Sequence, residues 1–147
     1  MKNMKKGLSL FLVLATVLSC VFVFCACGDE DDVPEGLWAD AIYTEDKTFG
    51  NGSKTVAIEV KAGENSVTLT VKTDKETLAD VLLEHALVGG DITEYGLAVY
   101  VINGMRADWN TDGAYWGMYK NGEYLMTGAS STIIADGEHY EFVYTKN

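Results

Sequence analysis

Five aromatic side chains lie close together in one stretch of the chain and could form a surface for a flat ligand. The stretch covers residues 108–128 and reads DWNTDGAYWGMYKNGEYLMTG. Its aromatic residues are Trp109, Tyr115, Trp116, Tyr119 and Tyr124. The pair Asn121-Gly122 inside this run predicts a β-hairpin with a type I′ turn, because both central residues of that turn need positive φ. Exposed aromatics would offer a ligand surface, whereas buried ones would only build the core.

The period of a strand divides these aromatics between two faces. Neighbouring residues of a strand point in opposite directions, so Tyr115 and Tyr119 are expected on one face and Trp116 on the other. Tyr115 and Tyr119 are the expected exposed pair, and Gly117 between them would leave a shallow dip for a flat ligand. Trp116 could be either a core residue or a ligand contact. The predicted ligand-binding residues are Tyr115, Trp116, Tyr119, Asn121 and Tyr124.

The loop before the hairpin resembles the opening of a calcium-binding loop. Asp108, Asn110 and Asp112 stand at alternate positions and are followed by Gly113, an arrangement that lets oxygen ligands converge on one cation. The twelfth position is Tyr119, where such a loop needs a bidentate glutamate. Asp, Asn and Gly are also ordinary turn formers. We therefore predict a plain turn and no metal site.

No residue pattern typical of catalysis is found in the sequence. The two histidines, His85 and His139, are separated by many residues, and Ser130-Ser131-Thr132 has no base nearby. Phosphate-binding loops and zinc-ligand spacings are missing as well. We predict a protein that is not an enzyme and that needs no cofactor.

The first 26 residues are typical of a lipoprotein signal peptide. Three lysines precede an apolar run over residues 8–24, and an acidic run follows at residues 29–32. All three cysteines lie in this region, so the remaining domain has no disulfide framework. Ala26-Cys27-Gly28 resembles a lipobox, which predicts lipidation of Cys27. Lipidation of Cys20, ordinary cleavage and an uncleaved anchor are the alternatives.

A lipid on Cys27 would determine where the protein acts. Two acyl chains hold a protein stably on a membrane, so the domain is expected at the extracytoplasmic face of the cell membrane. Removal of residues 1–26 takes away three lysines and no acidic residue, which changes the net charge from −11 to −14. Such acidity argues against nucleic-acid binding, which needs clustered Lys and Arg. Solubility at a cell surface explains the charge, with attraction of a cationic ligand as the alternative.

The rest of the chain predicts an α+β domain after an acidic tether and lead-in over residues 27–53. Alternating apolar residues predict strands at 55–60, 66–72, 97–101, 115–120, 123–127 and 140–144. Residues 75–87 predict one helix, with Thr73 and Glu76 as a capping box and Gly89-Gly90 as its stop. Residues 37–43 could form a strand or a short docking segment. The predicted fold of residues 54–147 is β-grasp-like, a mixed sheet with one helix in the order β-β-α-β-β-β.

Several motifs in this order resemble the transcobalamin-like C-terminal domain family, bacterial domains of largely unassigned function. They are Thr77-Leu78 through Leu87-Val88, Tyr95-Gly96-Leu97, Ile102-Asn103-Gly104, Asp112 to Trp116, Tyr119 to Tyr124, Thr127-Gly128, Asp136-Gly137-Glu138 and Tyr140-Glu141-Phe142. The family is similar to the β-domain of intrinsic factor and transcobalamin. In those carriers the β-domain covers one face of cobalamin and a helical domain supplies the rest of the pocket.

The resemblance implies a small-molecule-binding domain on a surface lipoprotein, with cobalamin or another corrinoid as the ligand. No helical domain accompanies the β-domain in this sequence, so it would form half of such a clamp. The alternative is a protein-interaction or structural module of a surface or uptake complex, with a transporter component as its partner. Pull-down from membranes would discriminate the two hypotheses, and the most useful structural observation is which aromatics remain solvent-exposed in the folded domain.

Overall fold

A computed structural model describes residues 33–147. The predicted signal peptide and the predicted lipidation site, Cys27, lie outside the described residues. Within residues 33–147, no helix is long and apolar enough to cross a membrane. The strands are β1 (Lys47–Gly50), β2 (Lys54–Ala62), β3 (Asn65–Thr73), β4 (Val88–Thr93), β5 (Gly96–Ile102), β6 (Met105–Arg106), β7 (Ala114–Lys120), β8 (Glu123–Tyr124) and β9 (His139–Lys146). The helices are α1 (Leu78–Glu84) and α2 (Trp109–Asp112), and 3-10 turns cover Leu37–Asp40 and Ala129–Ser131.

The larger of the two described sheets has six strands in the order β1-β3-β2-β9-β7-β8. Strands β2 and β3 form the hairpin that their alternating apolar residues predict, and β9 pairs in parallel with β2 and antiparallel with β7. The inner face is apolar along each long strand, with Ile58, Leu69 and Phe142 fully buried. Helix α1 adds Leu78, together with other apolar residues, to the same core. The opposite face of this sheet carries the residues of the candidate site.

The smaller sheet has three antiparallel strands in the order β4-β5-β6. A turn at Asn103 and Gly104 joins β5 to β6, and both residues have positive φ. Asn103 is buried, and its side chain accepts a hydrogen bond from the backbone N–H of Tyr43 at 2.9 Å and donates one to the Tyr43 carbonyl at 2.8 Å. The segment over residues 37–43 therefore docks on this turn. Of the two predictions for it, a strand or a short docking segment, the docking segment agrees with the structure.

Helix α1 begins later than predicted. Its N-cap is Thr77, whose hydroxyl accepts a hydrogen bond from the N–H of Asp80 at 3.2 Å. The predicted cap, Thr73, is instead buried at the end of β3 and donates to Glu84 Oε2 at 3.0 Å. Backbone hydrogen bonds to residues 132–134 hold residues 76–78 in an extended conformation. This pairing prevents the helix from starting at residue 75.

Helix α1 also ends earlier than predicted. Ala86 adopts a φ of 53°, and the N–H of Leu87 bonds to the Leu82 carbonyl at 2.9 Å, which closes the last turn. The predicted stop, Gly89-Gly90, lies inside β4, where the pairing with β5 shifts register. Strand β4 was not predicted, because the two glycines interrupt its apolar pattern.

The α+β class is confirmed, but the predicted element order is too short. The sequence pattern missed β1, β4 and β6, and the strands of residues 33–147 form two sheets instead of one mixed sheet. Strand β1 lies inside the predicted lead-in and pairs in parallel with β3. The order β-β-α-β-β-β therefore does not describe the arrangement.

Candidate functional site

The predicted hairpin is formed by β7 and β8. Asn121 and Gly122 have φ values of 49° and 83°, which are the two positive values that the predicted turn requires. Tyr119 pairs directly with Tyr124 across the turn. The second strand is only two residues long, shorter than the predicted 123–127.

Asn121 fastens this turn to the last strand. Its N–H donates to the carbonyl of His139 at 2.8 Å, and its side-chain oxygen accepts from the N–H of His139 at 3.2 Å. Asn121 was predicted as a ligand contact. In the structure its side-chain oxygen holds β9, and it therefore positions the hairpin.

Trp116 is a core residue. Only 5 % of its surface is exposed, and its ring packs edge-on against Tyr144 with the centroids 5.7 Å apart. It points to the inner face of the large sheet because its neighbours on β7 occupy the outer face. Of the two alternatives that the sequence left open for Trp116, a core residue or a ligand contact, the structure agrees with the core residue.

Four aromatic side chains lie at the surface around β7 as two pairs, which we call the aromatic row. The ring centroids of Trp109 and Tyr115 are 6.1 Å apart, and those of Tyr119 and Tyr124 are 5.4 Å apart. The exposed fractions are 55 % for Trp109, 36 % for Tyr115 and 53 % for Tyr124, and Tyr119 is half-buried. Because Tyr115 and Tyr119 are four residues apart on one strand, their Cα atoms are about 13 Å apart.

Gly117 lies between the pairs, where a dip was predicted. A Cβ built on Gly117 would lie 3.3 Å from Cε2 of Tyr119 and 3.2 Å from Oγ1 of Thr145. The edge of the Tyr119 ring therefore already lies close to Gly117 and fills part of the expected dip. A side chain at this position would have to push the Tyr119 ring or the Thr145 hydroxyl aside by a few tenths of an ångström.

Ionisable side chains beside the aromatic row pair with one another. Lys61 lies 2.6 Å from Glu141 and 3.4 Å from Glu59, and His139 Nε2 lies 2.9 Å from Glu59. The hydrogen bond to Glu141 raises the pKa of Lys61, although partial burial opposes the rise. Burial tends to raise the pKa of Glu59, but hydrogen bonds from Ser66 and the charge of Lys61 lower it overall. This part of the sheet is therefore engaged in its own ion pairs.

A pocket of about 330 Å³ opens at the Trp109 end of the aromatic row. We call it the Arg106 pocket. Strands β5 and β6 of the small sheet form one side, and α2 with the start of β7 forms the other. Its lining residues are Val99, Tyr100, Arg106, Ala107, Asp108, Trp109, Asn110, Ala114 and Tyr115.

An ion pair lies at this pocket. Nη2 of Arg106 lies 2.9 Å from Oδ2 of Asp108, and the guanidinium carbon lies 6.0 Å from the centroid of the Tyr100 ring. The bond from Arg106 lowers the pKa of Asp108 to about 2, and backbone N–H groups of Asn110 and Thr111 add to the effect. Asp108 is therefore ionised at neutral pH.

Asp108 also explains why the calcium-like sequence is a turn. Its Oδ1 accepts hydrogen bonds from the N–H groups of Asn110 and Thr111 at 2.9 and 3.3 Å, so it caps α2. The segment closes into a helical turn and ends at Gly113, which has positive φ. Among residues 33–147, no group of three or more His, Cys, Asp or Glu side chains could hold a metal ion.

Sequence reasoning missed Tyr100 and Arg106. A signal for each was present: Tyr100 lies on the opposite face of β5 from Leu97, Val99 and Val101, and Arg106 is the only arginine of the chain. Neither could be joined to Trp109 and Tyr115 in advance, because the small sheet that brings them there was not predicted.

A larger cleft of about 600 Å³ lies elsewhere, between the β1–β2 loop and the C-terminal end of α1. Its lining carries both charge signs, and His85 packs against Phe49 with the ring centroids 5.4 Å apart. It has no exposed aromatic lining of the kind found at the Arg106 pocket. The aromatic row and the Arg106 pocket are therefore the candidate site.

The fold and this surface define a small α+β domain with two sheets and an exposed aromatic face. Residues 75–146 match a family model described as a domain of unknown function, DUF4430. This match and the two solved structures described next agree with the resemblance to transcobalamin-like domains of unassigned function that the sequence motifs indicated. No curated protein sequence matches the chain.

Two examples illustrate the similarity of this chain to solved structures. One is a protein from Ruminococcus gnavus ATCC 29149, described as a "putative metal binding protein", with a TM-score of 0.61 and 28% identity. The match covers 65% of this chain and 99% of that one. The other is haptocorrin in complex with Cbi, with a TM-score of 0.52 and 24% identity, over 67% of this chain and 26% of haptocorrin. The similarity to haptocorrin concerns the fold.

Proposed function

We propose that this chain is a surface lipoprotein whose domain binds a small flat molecule on the aromatic row, with a corrinoid as the first candidate ligand. Diacylated Cys27 would hold the domain at the extracytoplasmic face of the cell membrane. The observation that carries the proposal is the aromatic row, in which Trp109 of α2 pairs with Tyr115 and Tyr119 pairs with Tyr124 at the surface around β7.

The spacing of the aromatic row favours a wide ligand. Two ring pairs whose strand positions are about 13 Å apart at the Cα atoms could contact different parts of one macrocycle, whereas a single small ring would reach only one pair. Large aromatic side chains supply much contact area at low entropic cost, because each has only two rotatable torsions. A corrinoid is a wide macrocycle that suits contact with both pairs. Haptocorrin, which shares the fold, was solved in complex with Cbi, and this agrees with the choice.

The expected affinity is modest. The match spans only about a quarter of haptocorrin, so this chain offers one side of a binding site. The aromatic row lies on an open face, where a ligand keeps contact with water on its other side. Sites that bind drug-sized ligands tightly bury most of the ligand surface. We therefore expect a Kd in the micromolar range at best, unless a partner covers the ligand.

Titration tests the binding proposal directly. The chain is titrated with cobalamin and with cobinamide, and binding is followed by calorimetry and by the corrin absorbance. We expect saturable binding below millimolar concentration, weakened by Tyr119→Ala. Lys72→Ala on β3 serves as the matched surface control and should leave the Kd unchanged. Absence of a saturable signal with both compounds overturns the corrinoid proposal.

Fractionation tests the anchor. Wild type is expected in the membrane fraction of expressing cells, and Cys27→Ala is expected to abolish lipid labelling. Cys20→Ala is the control, since it removes the alternative lipidation site. Lipid labelling that persists in Cys27→Ala and disappears in Cys20→Ala would contradict the assignment.

A protein-interaction module is the second candidate function, and the small sheet supplies the observation for it. Strand β4 is an outer strand of that sheet, and it carries an exposed Ile92. Tyr95, in the turn that follows, is 88 % exposed. Unpaired strand edges are sites at which another chain can add a strand. Crosslinking in membranes would favour this candidate if a partner is lost with Tyr95→Ala and kept with Tyr119→Ala.

A further inference from the structure

The ion pair at the Arg106 pocket restricts the ligands that fit there. A guanidinium has five N–H donors, and the bond to Asp108 uses one of them. Arg106 is largely exposed, so its other donors are accessible. Oδ2 of Asp108 has a second lone pair, while Oδ1 is occupied by the two backbone N–H groups of α2. The pair thus presents donors and one acceptor side by side.

A negatively charged ligand group is disfavoured in this pocket. Asp108 stays ionised at neutral pH, because Arg106 and the backbone of α2 hold its pKa at about 2. An anion that approaches Arg106 would therefore meet a carboxylate within hydrogen-bond distance of the same guanidinium. The strongly acidic chain adds a repulsive field.

A positively charged ligand group is disfavoured for the opposite reason. The guanidinium of Arg106 already lies near the Tyr100 ring, at 6.0 Å from its centroid, so a second cation would be repelled there. The paired charges sum to zero. The group that complements them is neutral, and it must donate to Asp108 while it accepts from Arg106.

We propose that the Arg106 pocket binds a primary carboxamide attached to a flat ring. The amide oxygen accepts from Arg106, the amide NH₂ donates to Asp108, and the ring stacks against Trp109 and Tyr115. The pocket volume of about 330 Å³ accommodates a single ring with its amide but not a whole macrocycle. This inference rests on the proposed function, since the pocket opens at the Trp109 end of the aromatic row; a corrinoid carries its primary carboxamides on short alkyl arms and could insert one amide here while its macrocycle stays on the row.

A matched pair of probes tests the inference. Benzamide and benzoate have the same ring and nearly the same shape, and they differ in the charge and donors of the polar group. The full chain is titrated with each in a zwitterionic detergent, with ligand-observed NMR as the readout. Wild type should bind benzamide about tenfold more tightly than benzoate, as expected for one hydrogen bond to a charged group. Equal affinity, or a preference for benzoate, overturns the inference.

Asp108→Asn gives a result that a general loss of structure cannot produce. Asparagine is as good an N-cap as aspartate, so α2 keeps its start. Arg106 then loses its counter-charge, and the preference should reverse, with benzoate bound more tightly than benzamide. The control is Asp80→Asn on the exposed side of α1, which changes net charge equally and should keep the benzamide preference. Retention of the benzamide preference in Asp108→Asn contradicts the inference.

A further arm separates the carboxamide from a sugar diol, which also donates and accepts. Methyl glucoside that binds where benzamide does not overturns the carboxamide assignment.

Cobinamide separates this inference from the proposed function. If cobinamide binds wild type but benzamide shows no preference, the proposed function stands and the inference fails. If benzamide binds with the expected preference and cobinamide does not bind, the pocket assignment stands and the corrinoid proposal fails.

Discussion

Asn103 fixes the turn that joins the lead-in segment to the small sheet, and its replacement should destabilise the domain strongly. The side chain makes two hydrogen bonds to the backbone of Tyr43, at 2.9 and 2.8 Å, in a fully buried position. At roughly 1 kcal/mol for each bond, their loss costs about 2 kcal/mol, and more if the Tyr43 groups stay buried. Asn103 also adopts a φ of 50°, which alanine tolerates less well by about 1 kcal/mol. Asn103→Ala should therefore lower the free energy of unfolding by about 3 kcal/mol.

Asn103→Gly separates the two contributions. Glycine loses the same hydrogen bonds but accepts positive φ without strain, so it should be about 1 kcal/mol more stable than the alanine variant. Urea unfolding followed by circular dichroism measures both variants, and Asn110→Ala on the surface serves as the control. If Asn103→Ala unfolds at the wild-type urea concentration, or if glycine is the less stable variant, the reasoning about this turn is refuted.

Three further predictions concern the candidate site. Trp116→Ala should lower the free energy of unfolding by about 3–5 kcal/mol because the ring is buried against Tyr144, whereas Trp109→Ala should change it by less than about 0.5 kcal/mol; thermal unfolding compares the two. Asp108 has a folded-state pKa lowered to about 2, so its contribution to stability is present above pH 4 and is lost as the pH falls toward 2. Urea unfolding between pH 5 and 2 measures this loss. The part of the free energy of unfolding that Asp108 contributes should fall with pH in wild type and be missing in Asp108→Asn. Gly117→Ala should lower the free energy of unfolding by less than about 1 kcal/mol, because the new Cβ meets two side chains that can shift. It should also displace the Tyr119 ring, and a change in the tyrosine NMR shifts would show this.

Alternating apolar patterns predicted the central strands of the large sheet correctly. The hairpin of β2 and β3 and the last strand, β9, appear where alternation placed them, because each has one buried and one solvated face. Strand β4 escaped prediction because Gly89 and Gly90 interrupt its pattern at a register shift. The start of α1 was misplaced because pairing with residues 132–134 overrides the local capping signal at Thr73. Long-range pairing of this kind leaves no local trace in a sequence.

The candidate site was predictable only in part. Strand period correctly separated Trp116 from Tyr115 and Tyr119, and the turn at Asn121 and Gly122 has the predicted φ values. The sequence alone could not show that the small sheet brings Arg106 to the Trp109 end of the row, because strand β6 is only two residues long. The pocket therefore emerged from the packing of two sheets.

Calorimetric titration of cobinamide into wild type and Tyr115→Ala tests the central proposal most directly. Tyr115 contributes to both the aromatic row and the Arg106 pocket, and it can be truncated without opening the core. We expect saturable binding to wild type and a Kd about tenfold higher for Tyr115→Ala, equal to about 1.4 kcal/mol of lost stacking. An unchanged Kd in Tyr115→Ala, or no binding to wild type, would contradict it.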